Sequence, residues 1–226
     1  MSVHMLDRPV WNALATRQSG LAIGDERARR FRPDINMFGA AAEPSPESLA
    51  ALAALAPEGG IIGTVEVEPL LAVPGLTLQR QAAVNQMVAE RSPGQSQAFD
   101  HVVLGDDDAA EMLALATLTE PGPFFAATHR MGHFIGVRKQ GRLIAMAGQR
   151  MRVPGFTEVS AVCTHPDHRG QGLAGKLMRV LIDRIVNEGD AAFLHVYPDN
   201  TGAIGLYEAL GFRFRQALHF QIWSAE

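Results

Sequence analysis

"HRGQGLAGKL", residues 168–177, places four small residues within six positions and matches three different phosphate-binding patterns. Read from Gly170, it is the G-x-G-x-x-G of a dinucleotide site and most of the G-x-x-x-x-G-K of a P-loop. Read from Arg169, it is the R-x-x-G-x-A of an acyl-CoA pyrophosphate loop. In all three, small residues let backbone N–H groups and a helix N-terminus approach phosphate oxygens. The stretch therefore predicts a phosphate site, and the neighbouring sequence must decide the ligand.

The neighbouring residues disfavour both nucleotide patterns. A dinucleotide loop follows its strand directly, whereas residues 164–169 separate Cys163 from the first glycine, and only about fifty residues remain to build a further sheet. The acidic residue that follows, Asp199, lies beyond the end of the next predicted strand. A P-loop needs Ser or Thr after its lysine to hold Mg²⁺, and here Leu177 occupies that position.

The acyl-CoA pattern needs no metal and fits the local order of elements. Residues 158–163 (EVSAVC) predict a strand, residues 164–168 (THPDH) a polar turn, and the residues from about 171 onward a helix. The alternative is a glycine-rich turn that binds nothing. Small residues are poor helix formers, and a close approach of the backbone to a ligand explains their presence here.

The residues from 98 onward predict strands and helices in the order β-α-β-β-β-α-β-α-β, a mixed α/β domain with helices packed on a sheet. The clearest helix is residues 172–189, where apolar side chains recur at four-residue steps before a terminal glycine. Residues 1–97 have weaker patterns: a helix at 45–56, a strand at 59–70, and an ambiguous segment at 76–90. Polar residues 91–97 predict a linker, so we expect an N-terminal region 1–97 and a domain 98–226.

Composition excludes several classes of function. The chain of 226 residues carries a net charge of −4, which offers no general attraction to nucleic acid or anionic membranes. It has no apolar run of 18 residues and no secretory pattern at its start, so we expect no membrane span and a cytoplasmic location. The single Cys163 excludes an intramolecular disulfide and a cysteine-based zinc site. His165 and His168 flank a turn, where solvated side chains are expected rather than a metal pair.

Two longer segments carry a family resemblance. "FTEVSAVCTHPDHRGQGLAGKLM" (156–178) and "FLHVYPDNTGAIGLYEALGFR" (193–213) resemble the strand–loop–helix and Asn…Tyr…Gly-Phe signatures of the GNAT superfamily of acyl-CoA-dependent N-acyltransferases. The likeness runs from about residue 98 to 223 and is most similar to the glycine N-acyltransferase-like branch. It implies a mixed, mostly antiparallel sheet flanked by helices. It leaves residues 1–97 as either a degenerate GNAT-like half or an unrelated cap.

The resemblance also implies which residues hold acetyl-CoA, the cosubstrate, with no metal. The backbone at the strand end faces the pantetheine amides, the loop and helix start hold the pyrophosphate, and two later side chains lie near the thiol. These predicted cofactor-binding residues are Val162, Cys163, Thr164, Arg169, Gly170, Gln171, Gly172, Leu173, Ala174, Gly175, Asn200 and Tyr207.

Acetylation of an amine needs a neutral amine and a proton for the leaving thiolate. Glu158, at an offset that resembles the glutamate base of histone-acetylating members, is the predicted base. The alternative is a glutamate at the start of a strand that is exposed to solvent or paired with Arg150 or Arg152. Tyr207 is the predicted acid, with a buried core tyrosine as the alternative. A relay role for His195 and a nucleophilic role for Cys163 are weaker hypotheses.

These observations together predict an N-acyltransferase that moves an acetyl group directly to a primary amine of a small molecule or peptide. Residues 117–134, with Pro123, Phe124 and Phe125, are expected to form part of the acceptor wall. The rival interpretations are a GNAT-fold module that senses acyl-CoA without turnover, and a nucleotide-binding protein. Self-association into a homodimer is left open.

Overall fold

The computed structural model describes residues 4–94 and 99–225. Its α-helices are α1 (Pro9–Ala15), α2 (Pro46–Ala54), α3 (Ala109–Thr119), α4 (Leu173–Asn187) and α5 (Thr201–Ala209). Its strands are β1 (Ala22–Gly24), β2 (Ala28–Phe31), β3 (Gly39–Ala41), β4 (Ile61–Glu66), β5 (Leu76–Ala89), β6 (Val102–Leu104), β7 (Phe134–Lys139), β8 (Arg142–Val153), β9 (Phe156–Thr164), β10 (Ala191–Val196) and β11 (Arg213–Ala225).

One large sheet organises the molecule. Its eight strands run in the spatial order β4-β11-β5-β10-β9-β8-β7-β6, and every neighbouring pair is antiparallel except β9 and β10. The predicted mixed, mostly antiparallel sheet flanked by helices is therefore confirmed. After residue 98 the elements also follow the predicted order β-α-β-β-β-α-β-α-β.

The N-terminal region contributes two strands to this same sheet. The ambiguous segment 76–90 is β5, which lies between β10 and β11 and pairs with β11 along nearly its whole length. The predicted boundary at residue 97 divides the sequence into two stretches. The large sheet crosses that boundary, because β4 and β5 lie in one sheet with the strands that come after residue 97. Residues 95–97 of the predicted linker lie outside the described residues, and Arg179 of α4 donates to the carbonyl of Pro93 at 3.3 Å.

The rest of the N-terminal region covers one face of the large sheet. A small sheet of order β1-β2-β3 packs with α1 and α2 there, and Ser45 caps α2 by accepting a hydrogen bond from the N–H of Ser48. Phe31, Phe38 and Leu6 of this region join a buried cluster with Phe193 and Phe220 of the later strands. The core on this face is therefore built from both halves of the chain.

Helix α4 covers the opposite face of the sheet. Its buried side chains include Leu177, Leu181 and Ile185, at the four-residue spacing predicted from the sequence, and Gly189 ends it in a left-handed conformation with φ of 89°. No helix in the described part of the chain is long and apolar enough to cross a membrane.

Strands β9 and β10 separate partway along their length. They pair in parallel from Ala191 opposite Phe156 to Phe193 opposite Glu158, and beyond that pair the two strands no longer pair with each other. On its other side β9 carries a bulge against β8, where Ala161 takes a φ of +52°, rare for a residue other than glycine. The bulge and the separation meet at the same place and open a cleft in the sheet.

The topology predicts that residues 98–226 will not fold alone. Without β4 and β5, strand β11 loses both of its neighbours and β10 loses one, whereas the whole stability of a domain is typically only about 5–15 kcal/mol. Circular dichroism and urea titration of this fragment should show no cooperative unfolding, whereas the full chain should show one. A fragment that unfolds cooperatively would contradict the assignment of β5 to the centre of the sheet.

Candidate active site

The loop 165–172 joins β9 to α4 and has the backbone of an anion site. Gly170 and Gly172 adopt left-handed conformations, with φ of 77° and 70°, immediately before the helix begins at Leu173. A Cβ atom built on either glycine meets nothing within 4 Å, so the space over the loop is open. The backbone conformation explains the glycines, and the open space leaves room for a ligand.

The backbone N–H groups of this loop are available to such a ligand. Arg169 N–H donates to Pro166 and Lys176 N–H donates to Gly172. Between these two, across residues 4–94 and 99–225, no backbone N–H from Gly170 to Gly175 donates to a protein acceptor. Together with the positive end of the α4 dipole, these free donors form a site that favours phosphate oxygens.

The loop lines a cavity of about 620 Å³, which we call the cofactor cavity. It contains ten of the twelve predicted cofactor-binding residues, namely Val162, Cys163, Thr164, Arg169, Gly170, Gln171, Gly172, Leu173, Ala174 and Gly175. His168, Lys176 and Arg179 also line it, so the basic side chains cluster where phosphate groups would lie. The donor set and the shape of the cavity therefore fit the diphosphate of an acyl-CoA.

A second cavity of about 730 Å³, the acceptor cavity, opens on the other side of the separated strands. Val162 lines both cavities, so they meet at the bulge of β9. Asn200 and Tyr207, the remaining predicted cofactor-binding residues, line the acceptor cavity. Its apolar wall includes Met37, Phe38, Val65, Val84, Phe124, Phe220 and Ile222.

Much of the acceptor cavity comes from residues that the sequence did not single out. Met37, Phe38, Val65 and Val84 belong to the N-terminal region, and Arg80 lies on β5 with its guanidinium 5.4 Å from the ring centre of Tyr197. No motif marks these positions, because they meet the site only through sheet pairing. Of the three residues expected in the acceptor wall, Pro123 and Phe124 line the cavity. Phe125 instead packs against the buried cluster that contains Phe31 and Phe193.

Glu158 is completely buried at the point where β9 and β10 part. Its carboxylate accepts two hydrogen bonds from Arg150, from Nε at 2.8 Å and Nη2 at 2.7 Å, and a third from the N–H of Met151. His195 Nδ1 lies 2.8 Å from Oε1. Burial raises the pKa of Glu158, but the charge and hydrogen bonds of Arg150, with the bond from His195, outweigh burial and lower that pKa from 4.5 to about 2.

The hydrogen bonds around Gln86 define the donor and acceptor roles of the two ring nitrogens of His195. Gln86 Oε1 accepts from Arg215 Nη1 at 2.9 Å, and its amide nitrogen donates to the carbonyl of Leu6 at 2.9 Å, so the orientation of the amide is determined. The same amide nitrogen lies 3.1 Å from His195 Nε2, which must therefore be the acceptor. It follows that His195 accepts a hydrogen bond at Nε2 and donates one from Nδ1 to Glu158.

These contacts bear on the predicted base without testing it directly. Glu158 is not among the residues that line either cavity, and its oxygens are already occupied. The geometry favours the alternative stated for this residue, an ion pair, and Arg150 rather than Arg152 is the partner. In this structure His195 has no unoccupied lone pair for a relay role, since Gln86 donates to Nε2.

The other candidate side chains differ in their readiness for chemistry. Burial raises the pKa of Tyr207, which keeps its hydroxyl protonated and able to donate. Burial likewise raises the pKa of the Cys163 thiol to about 11, so a nucleophilic thiolate is disfavoured at neutral pH. Asn200 caps α5 by accepting a hydrogen bond from the N–H of Ala203 at 3.2 Å, which leaves its amide nitrogen for another partner.

Similarities to known proteins agree with this geometry. The family model described as FR47-like protein matches residues 134–221. The N-alpha-acetyltransferase RimI of Mycobacterium tuberculosis is 36% identical over 84 residues, which is 36% of this chain and 52% of that protein. The mycothiol acetyltransferase of Corynebacterium aurimucosum is 43% identical over 60 residues, 26% of this chain and 20% of that protein. The matched part thus spans about half the length of one curated relative and a fifth of the other.

A solved structure is similar over the whole chain. It is described as an acetyltransferase from the GNAT family of Novosphingobium aromaticivorans, with 43% sequence identity and a TM-score of 0.92. The alignment covers 99% of this chain and 100% of that one. The glycine N-acyltransferase-like branch stays a prediction, since none of these similarities addresses it. Because identity and fold agree along the entire length, the chain belongs to the GNAT family.

Proposed function

We propose that this protein is an acetyl-CoA-dependent N-acetyltransferase acting on a primary amine of a small molecule or peptide. The observation that carries the proposal is the meeting of the two cavities at Val162, one with free backbone donors for a diphosphate and the other able to hold an amine. A module that only senses acyl-CoA has no need of the acceptor cavity, so turnover is the better supported function. The name of the Mycobacterium relative points to α-amino groups as the acceptor class.

The cofactor cavity would hold acetyl-CoA, which supplies its acetyl group as a thioester. The N–H groups of Gly170 to Gly175 would bind the diphosphate, and Lys176 and Arg179 would add positive charge nearby. The backbone of Val162 to Thr164 would contact the pantetheine arm where β9 and β10 have separated. This proposal requires no metal ion, and a cytoplasmic location agrees with the single buried Cys163. Homodimer formation stays a prediction.

The chemistry then needs two proton movements. As the amine nitrogen bonds to the acetyl carbon and the carbon–sulfur bond breaks, Tyr207, which lines the acceptor cavity, donates its hydroxyl proton to the leaving sulfur and regains a proton from solvent afterwards. The attacking amine gives up one proton. A carboxylate whose pKa is about 2 and whose oxygens are occupied is a weak base. We therefore assign that proton to water in the acceptor cavity and give Glu158 a structural role.

Substituting Gly172 tests the cofactor loop. Gly172→Val should abolish acetyl-CoA binding, because a branched side chain would enter the open space over the loop. The matched control is Gly189→Val at the other end of α4, where φ is also left-handed and the Cβ position is also open, but the residue lines neither the cofactor nor the acceptor cavity. Both variants should lose similar stability, about 1–2 kcal/mol from the strained φ. Calorimetry showing Gly172→Val within about threefold of wild type would refute the loop assignment.

Glu158→Gln separates a base from a structural ion pair. If the pair is structural, the free energy of unfolding should fall by about 3–5 kcal/mol, because Arg150 is left buried without its partner. The pH dependence of kcat/KM should keep its shape when normalised. The control Glu188→Gln removes an exposed partner of Arg184 and should cost less than about 1 kcal/mol. Loss of the acidic limb of the profile, with stability intact, would restore Glu158 as the base.

The same variant has an expected signature in the stability at low pH. Because the folded pKa of Glu158 is lowered to about 2 from 4.5, its stabilisation is complete above pH 4.5 and disappears as the pH falls toward 2. The difference in unfolding free energy between wild type and Glu158→Gln should therefore shrink across that interval. Urea titrations at several pH values between 2 and 7 measure it, and a difference independent of pH would contradict the low folded pKa.

Tyr207→Phe tests the proton donor. It should lower kcat by roughly 10²-fold or more, the usual effect of losing a positioned acid, while acetyl-CoA binds within about threefold of wild type. The control is Tyr197→Phe, which removes the hydroxyl of the only other tyrosine from the same cavity. Steady-state kinetics with one amine compares them. Equal losses in the two variants would show that Tyr207 has no special part in the proton transfer.

A further inference from the structure

The buried ion pair leaves one amino group of Arg150 unused. Nε and Nη2 of its guanidinium face Glu158, and within residues 4–94 and 99–225 no acceptor lies within hydrogen-bond distance of Nη1. The side chain is nine-tenths buried, with 10% exposed, and it lines the acceptor cavity. Nη1 is therefore the part of this guanidinium that a molecule in the cavity can reach. A charged donor that faces a cavity, with no protein acceptor within reach among the described residues, is a natural contact for a ligand oxygen.

The guanidinium is also held rigidly. Its Cζ lies 5.2 Å from the ring centre of Phe38, so an aromatic face supports one side while the carboxylate of Glu158 grips one edge. His195 and the N–H of Met151 hold that carboxylate in turn. A donor fixed in this way loses little entropy when it binds a ligand oxygen, so it discriminates between molecules that have that oxygen and those that lack it.

Arg150 lies on the strand next to the β9 bulge, where the amine would react. Its strand, β8, pairs with β9 through Gly148 opposite Ser160, directly before the bulge at Ala161 and Val162. Ser160, both bulge residues and Arg150 line the same cavity. An amine placed at the bulge thus has the Nη1 donor on the adjoining strand, the arrangement expected for an acceptor whose oxygen lies a few bonds from its nitrogen.

We propose, on the basis of the function above, that Arg150 binds the carbonyl or carboxylate oxygen of an α-amino acyl acceptor. Such an acceptor has the amine and the oxygen-bearing carbon on one α-carbon, which suits a donor beside the bulge. The negative charge of Glu158 balances Arg150, so recognition depends on the hydrogen bond from Nη1 more than on net charge. Either a free amino acid or the N-terminal residue of a peptide contains this unit.

The remaining wall of the cavity selects an apolar side chain on the α-carbon. Phe38 and Phe220 meet edge to face with ring centres 6.0 Å apart, and Val65, Val84 and Ile222 extend this surface. Burying an aliphatic side chain there is favourable by about 25 cal/mol per Å² of apolar surface removed from water. Arg80 lines the same cavity from β5, where a carboxylate group would meet a second cation.

The test compares leucinamide with 3-methylbutylamine, which is the same amine without the carbonyl group. The measured quantity is the ratio of their kcat/KM values, and the comparison is between wild type and variants, so the different basicities of the two amines cancel. Arg150→Met combined with Glu158→Gln removes the donor and leaves no buried charge unpaired. Arg150→Lys keeps the charge opposite Glu158 but removes the second amino group. Arg152→Met, on the same strand but outside the cavity, is the control.

We expect the ratio to fall about ten- to hundredfold in the double variant and in Arg150→Lys, the effect of losing a hydrogen bond from a charged donor, and to stay unchanged in Arg152→Met. A ratio within about threefold of wild type in whichever of the two Arg150 variants is folded overturns the proposal. The ratio does not depend on the folded fraction of the sample. If wild type acetylates neither amine nor any other amine offered, the proposed function itself fails, which is a different outcome from equal use of both.

Two further acceptors identify the source of the α-amino acyl unit. Free leucine and a tripeptide that begins with leucine are compared with leucinamide, using wild type and Arg80→Gln. A preference for leucine that Arg80→Gln removes supports the proposal with a free amino acid as acceptor. A preference for the tripeptide, unaffected by Arg80→Gln, supports it with a peptide N-terminus. A preference for 3-methylbutylamine over all three, unchanged by the Arg150 variants, overturns it.

Discussion

The buried carboxylate of Glu158 joins three strands at the place where the sheet opens. Phe193 opposite Glu158 is the last pair between β9 and β10, and beyond it the backbone hydrogen bonds between these strands end. Arg150 of β8 and His195 of β10 both bond to this carboxylate, so side chains hold the strands where the backbone no longer does. The strands are therefore held together up to Glu158, and the cleft opens beyond it.

The cost of burying that carboxylate explains the arrangement around it. An unpaired charge in a fully buried site is unfavourable, and the bidentate contact with Arg150 is the geometry that best offsets the loss of water. His195 and Gln86 extend the network to the carbonyl of Leu6, near the start of the described chain. The N-terminal region therefore supplies part of the support of the site as well as a wall of the acceptor cavity.

The separation of β9 and β10 also leaves two cavities with different linings, one for each proposed substrate. The cofactor cavity has the free N–H groups of a helix start and several basic side chains, whereas the acceptor cavity combines an apolar wall with polar side chains such as Arg80, Arg150 and Tyr207. They meet where the bulge of β9 puts Ala161 in a left-handed conformation. Strain of this kind persists only where the surrounding structure maintains it, and here β8 and the Glu158 network do so.

The sequence by itself determined the parts of this protein that depend on local chemistry. The glycines of the loop, the apolar repeat of α4 and the Asn200 cap each act within a few residues, so the element order after residue 98, the family and the left-handed loop before α4 were all readable. The tertiary structure decided the position of β5, because a strand of mixed pattern gains its conformation from the neighbours β10 and β11 rather than from its own residues. It also decided the role favoured for Glu158, since the spacing of a glutamate along a strand carries no information about a partner that hydrogen-bond geometry brings from the next strand. The acceptor cavity, too, was decided by the tertiary structure, because its walls come from distant segments that meet only when the sheet is complete.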